Sequence, residues 1–127
     1  MLKTLSLTFG AVFLLIGLLG LVPAATPDDK LLGLFMVDGT HNVIHILSGI
    51  LGLAAGSTSE KHSRLYLVGF GAVYALVTVI GFAQGDTVLG LFHVNAADNF
   101  LHLVLAAGLL GSGLGVKPGN AGVNESD

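Results

Sequence analysis

The chain has 127 residues, 53% of them hydrophobic and only 10% charged, against roughly 25% charged in ordinary soluble domains. With so few charges and a mean hydropathy of +0.85, the chain cannot cover a water-facing surface of this size, so the bilayer is its natural solvent. The lack of cysteine excludes disulfides, thiolate-bound zinc, iron–sulfur clusters, thiol nucleophiles and covalent c-type haem; a net charge of -3 with scattered Lys and Arg leaves no nucleic-acid footprint.

Crossing a bilayer takes about 20 mainly apolar residues, and four segments approach that length. The first runs from about Thr4 to Val22 and stops at Pro23. It imitates a signal peptide, but its apolar run exceeds the roughly 7 to 15 residues of a signal core and recurs inside the chain, so it is read as a span. Next, Leu31 to Met36 is expected to form a short interfacial turn or helix, with the second span at about 39–55. A polar loop, Ser57 to Ser63, precedes a third span at about 64–84, and a fourth covers about 96–115. Residues 117–127 are polar and are expected to be a disordered tail.

The chain repeats. Gly10-Ala11-Val12-Phe13 matches Gly71-Ala72-Val73-Tyr74 at an offset of 61, and Leu32-Gly33-Leu34-Phe35 matches Leu89-Gly90-Leu91-Phe92 at an offset of 57. The second match continues through Asn42/Asn99, His45/His102, Leu53/Leu110 and Gly56/Gly113. Phe, Asn and His in register are poor coincidences even in membrane sequence, so residues 10–56 and 71–113 are read as a duplication. The expected fold is all-α: an integral-membrane four-helix bundle of two duplicated hairpins, related by an axis along the membrane normal. Lys3, Lys61, Arg64 and Lys117 fall on one side, while Asp28, Asp29, Lys30 and Asp86 fall on the other. Basic residues near span ends face the cytoplasm, so both termini are expected inside.

Chemistry concentrates in a paired motif, residues 37–45 and 94–102. Asp38 and Asn95 are the residue types that cap helix N-termini, and Asp98, three after Asn95, can complete a capping box. Asn42/His45 and Asn99/His102 share a face of each helix. Polar groups inside a membrane turn toward the bundle, so these four are expected to form an interhelical network. A sharper alternative is a metal site. His41/His45 and Asp98/His102 are spaced four apart, and three imidazoles with a carboxylate suit zinc, copper, nickel or iron. A b-type haem between His45 and His102 is another alternative. His93 is read as interfacial and His62 as a solvated loop residue, while Gly52/Gly56, Gly81/Gly85 and Gly111/Gly115 are small-residue pairs for helix contact.

Leu-Gly-Leu-Phe-x-Val, then Asn95-Ala96-Ala97-Asp98-Asn99-Phe100-Leu101-His102, with His41-Asn42-x-x-His45 in the earlier copy, resembles an uncharacterised prokaryotic family of small four-helix membrane proteins, defined only as a domain of unknown function. The resemblance runs from about Leu7 to Gly115. Asp38-Gly39 departs from it, since the family more often has Asn followed by a non-glycine residue there. It implies a multi-pass protein of the prokaryotic plasma membrane and supplies no activity. With no nucleophile elbow, Walker loop or dinucleotide turn in the sequence, the expectation is a non-enzymatic structural or accessory subunit without a cofactor. Its partners would be the lipid bilayer and a larger membrane complex or a second copy. The alternatives are a protein holding a transition metal or haem and, more weakly, a small transporter or channel.

Overall fold

The computed structural model describes residues 1–117. Helix α1 (Leu2–Leu19) leads through two 3₁₀ turns, Pro23–Ala25 and Pro27–Asp29, into strands β1 (Lys30–Leu31) and β2 (Phe35–Met36). Helices α2 (Gly39–Thr58) and α3 (Glu60–Gln84), strands β3 (Thr87–Val88) and β4 (Phe92–His93), and helix α4 (Ala96–Gly115) follow. α1 ends short of Val22 because each turn begins with a proline, whose ring fixes φ and restrains the residue before it.

The segment after α1 is a β-hairpin rather than a turn or helix. Lys30 pairs with Met36 and Leu31 with Phe35, and the second hairpin pairs Thr87 with His93 and Val88 with Phe92. The reversal comes from left-handed backbone at Leu32 and Gly33 (φ 54° and 73°) and again at Leu89 and Gly90 (φ 53° and 70°). Glycine adopts this conformation freely, and the two-residue kink turns the chain before a helical turn can close.

The loop expected over Ser57 to Ser63 shrinks to one extended residue, Ser59. Its hydroxyl accepts from the His62 backbone N–H at 3.0 Å and contacts His62 Nδ1 at 2.6 Å. This cap starts α3 four residues before Arg64 and puts His62 on its first turn, not in a loop.

α1 lies mainly against α2, and α3 against α4. A Cβ on Gly10 would fall 2.6–2.9 Å from backbone atoms of Leu53, Gly52 and Gly49, so the α1 and α2 backbones meet directly. Gly52 and Gly56 sit at such contacts and Gly81 faces the Asn99 side chain, but Gly85, Gly111 and Gly115 have no neighbour within 4 Å of a built Cβ; Gly85 instead ends α3 with φ 90°. At the opposite end of α3, Arg64 donates to the carbonyls of Gly113 and Val116 at 2.6 and 2.7 Å, satisfying groups the α4 C-terminus leaves free.

A core of Phe13, Tyr66, Leu67, Tyr74, Leu105 and Leu109 fills the bundle. Leu15, Leu76, Val79 and Val104 are exposed on the outside. α1, α3 and α4 are long and apolar enough to cross a membrane. α2 is no shorter than α1 or α4, but it carries His41, Asn42, His45 and Ser48, all buried toward the bundle. Of the expected tail, Lys117 is exposed beyond α4, and the remainder lies outside the described residues.

Candidate functional site

The polar residues of the paired motif gather where the two β-hairpins close the bundle. Asp38, in extended backbone, accepts the His41 N–H at 2.7 Å on one oxygen and the His93 N–H at 2.8 Å on the other. Asn95 accepts the Asp98 N–H at 2.9 Å, and Asp98 accepts the Asn95 N–H at 3.0 Å, a reciprocal capping box. The Asn95 amide also donates to the Leu34 carbonyl at 2.9 Å. Each cap thus starts its own helix and ties it to the opposite hairpin, a second role that local sequence does not display. His93 takes part through its backbone, while its side chain stays exposed.

The expected network of Asn42, His45, Asn99 and His102 divides in two. Asn42 donates to the Gly20 carbonyl at 3.0 Å, and a Cβ at Gly20 would collide with the Asn42 amide. Asn99 likewise lies on Gly81. Each asparagine therefore seats on a glycine of its neighbouring helix, not on the histidines. The glycine lets the amide approach backbone, and for Asn42 this supplies a hydrogen bond, while Asn99 Oδ1 stays buried without a partner.

The histidines gather separately. His41, His45 and His102 are at most 2% exposed, and one ring nitrogen from each lies within 4.8 Å of the others. His41 Nε2 and His102 Nε2 are 3.3 Å apart. Ring centroids are 4.7 Å apart for His41 and His45, 5.3 Å for His41 and His102, and 5.8 Å for His45 and His102. Nδ1 of all three is buried without a hydrogen-bond partner. Asp98 stands three residues past its cap, as His41 does, but it is bound into the capping box and is outside this group. The metal set weighed from sequence thus becomes three imidazoles without the carboxylate.

Aromatic rings hold the cluster. Phe92 stacks on His41 at 4.7 Å and Phe13 on His45 at 5.8 Å, while Tyr74 lies 5.7 Å from His102 and 6.1 Å from His45. The Tyr74 hydroxyl is 3.0 Å from Ser48 Oγ, whose own proton can go to the Ile44 carbonyl at 2.7 Å. Sequence reasoning passed over Phe13, Tyr74 and Ser48. A signal for the first two was present, since they are equivalent positions of the repeat and both are aromatic.

The arrangement can donate nitrogen lone pairs from three sides of a small volume. Two ligands about 2.05 Å from a tetrahedral ion stand about 3.3 Å apart. A neutral N–H hydrogen bond prefers about 2.9–3.0 Å. The His41–His102 separation of 3.3 Å is that of such a coordination edge or of a long hydrogen bond between the rings.

Residues 3–115 match a family described as Domain of unknown function (DUF4383). The chain belongs to this family. Comparison with curated proteins and with solved structures returned no match.

Proposed function

We propose that this protein is a multi-pass membrane accessory protein that binds one transition-metal ion through His41, His45 and His102, rather than an enzyme. One observation carries the reading: three buried imidazoles, from α2 and α4, each place a ring nitrogen within 4.8 Å of the other two. Buried polar atoms in native proteins are nearly always satisfied, and the unpartnered Nδ1 atoms leave these rings short of partners. An all-imidazole set suits zinc, copper, nickel or iron, and three ligands leave a coordination position open.

The wider architecture supports four spans from a duplicated hairpin, with α2 as the fourth. The matching left-handed Leu-Gly turns and the two asparagine-on-glycine seats favour duplication. Lys3, Lys61, Arg64 and Lys117 at one end favour cytoplasmic termini, with the site near the external face of a prokaryotic plasma membrane. A haem is the poorer occupant. The cavity beside the rings is about 140 Å³, below the roughly 300–1,000 Å³ of ordinary cofactor pockets.

The rival is a purely structural cluster tying the helices of a subunit in a larger complex, favoured by the contact between His41 and His102 if it is a hydrogen bond. Elemental analysis after titration of chelator-treated protein in nanodiscs with zinc and copper separates the two. Metal binding gives about one ion per chain, lost in His45→Gln and His102→Gln but kept in Asp98→Asn, which retains a capping acceptor. No retained metal, or equal retention in the Gln variants, refutes it.

A further inference from the structure

Beside the histidines lies a cavity of about 140 Å³ between α2 and α3. His41 and His102 form one wall, and Ile44, Phe70, Val73 and Val77 form most of the rest. Its accessible surface is almost wholly carbon, although two buried histidines help to line it. Such a space has too few polar partners to hold water, and a dry apolar cavity of about 150 Å³ accepts benzene or xenon.

The position of its mouth decides what can enter. Toward the hairpin end it is closed: Phe92 stacks on His41, Val94 is buried beneath, and the Asp38 and Asn95 bonds pin both hairpins across the bundle. On the flank it is open. Val73 is 52% exposed, and Phe70 and Val73 are shared with an outer groove of about 450 Å³ running along Leu51, Ala55, Leu65 and Gly69. His62 and Tyr66 also line that groove, along which α2 and α3 are joined by Tyr66 donating to the Ser48 carbonyl at 2.7 Å, by Ser63 donating to the Ala55 carbonyl at 3.2 Å and by the Tyr74–Ser48 contact. Neither glycine-on-glycine contact nor a salt bridge closes this seam among the described residues.

We propose that the crevice between α2 and α3 is a lateral entrance through which small, uncharged, lipid-soluble molecules, up to a single ring in size, pass from the bilayer to His41 and His102. Their coordination at the cluster rests on the metal-binding reading; their entry does not. Charged or strongly hydrated species are excluded, because the surface along the path is almost wholly carbon and its few polar groups cannot replace their water. A monovalent ion is also the easier one to hold here. No carboxylate belongs to the histidine group, and the cost of burying an ion rises with the square of its charge. Copper(I) with carbon monoxide is therefore a suitable probe.

The test has two arms on full-length protein in nanodiscs. In metal-free protein, xenon should shift the methyl resonances of Ile44, Val73 and Val77 saturably, and Val77→Phe should abolish the effect by filling the space. In copper(I)-loaded protein, carbon monoxide should give an infrared band of the bound molecule, and Val77→Phe should slow its appearance at least tenfold at unchanged copper content. Ile44→Phe, which fills the cavity from the α2 side, decides the matter should Val77→Phe fail to fold. Absence of xenon-induced shifts in the wild type, or shifts unchanged in a folded filling variant, overturns the entrance. Xenon binding with neither zinc nor copper retained overturns the metal reading alone, and metal retention without xenon binding overturns the entrance alone.

Discussion

Replacing His102 with leucine gives a stability change that can be worked from the contacts. In metal-free protein His102 makes one long contact, 3.3 Å to His41 Nε2, and carries one orphaned nitrogen, Nδ1. Losing an interhelical bond in a membrane costs about 0.6 kcal/mol, and leaving His41 Nε2 unpaired adds about 1–3 kcal/mol. Removing the orphaned Nδ1 returns a similar 1–3 kcal/mol. The two desolvation contributions nearly cancel, so metal-free His102→Leu should lie within about 1 kcal/mol of wild type. Metal changes the comparison. At free metal 100-fold above Kd, binding stabilises the wild type by about 2.7 kcal/mol, and the variant should lose most of this. Unfolding by SDS in mixed micelles, with and without zinc or copper, reads both numbers. A metal-free loss above about 2 kcal/mol with no metal-dependent gain in the wild type would show that the rings serve only to tie helices, and would refute the reasoning.

Three further outcomes are expected. Gly10→Ala places a methyl against backbone of α2, whereas Gly111→Ala meets nothing within 4 Å; both gain the same helix propensity, so the first should be less stable than the second by about 1–3 kcal/mol in the same SDS assay. Asp38→Ala removes the α2 cap and the bond from the His93 N–H and should cost about 1–3 kcal/mol, while Asp38→Asn should keep more than half of that, as thermal unfolding in detergent would report. Single cysteines at Lys61 and Asp86, both exposed at opposite ends of α3, should label from opposite sides, Lys61 from the cytoplasm; external labelling at Lys61 reverses the orientation.

The sequence by itself determined whatever depends on composition and on near neighbours. Apolar runs bounded by prolines and polar residues mark helical segments because helix length and bilayer thickness set one scale. Capping links residues three apart, so Asp38, Asn95 and Asp98 declare it locally. Membership of an uncharacterised family, too, was expected from the sequence, and the family match over residues 3–115 agrees. The β-hairpins were not, because Leu32 and Leu89 adopt a left-handed backbone that leucine rarely takes, and their two-residue strands are too short to show alternation. Nor was the one-residue joint at Ser59, since a polar run looks the same as a loop or as a capped first helical turn.

Only the tertiary structure decided which polar residues meet. Asn42 and His45 share a helix face in sequence, yet one seats on Gly20 of α1 and the other joins His41 and His102. Which way a side chain is used depends on whether the facing helix offers bare backbone or another ring, and that follows from the packing of segments tens of residues apart. His41 and Asp98 show the same division: each stands three residues after its cap, but the carboxylate satisfies the backbone N–H of Asn95 while the imidazole is left to reach across the bundle.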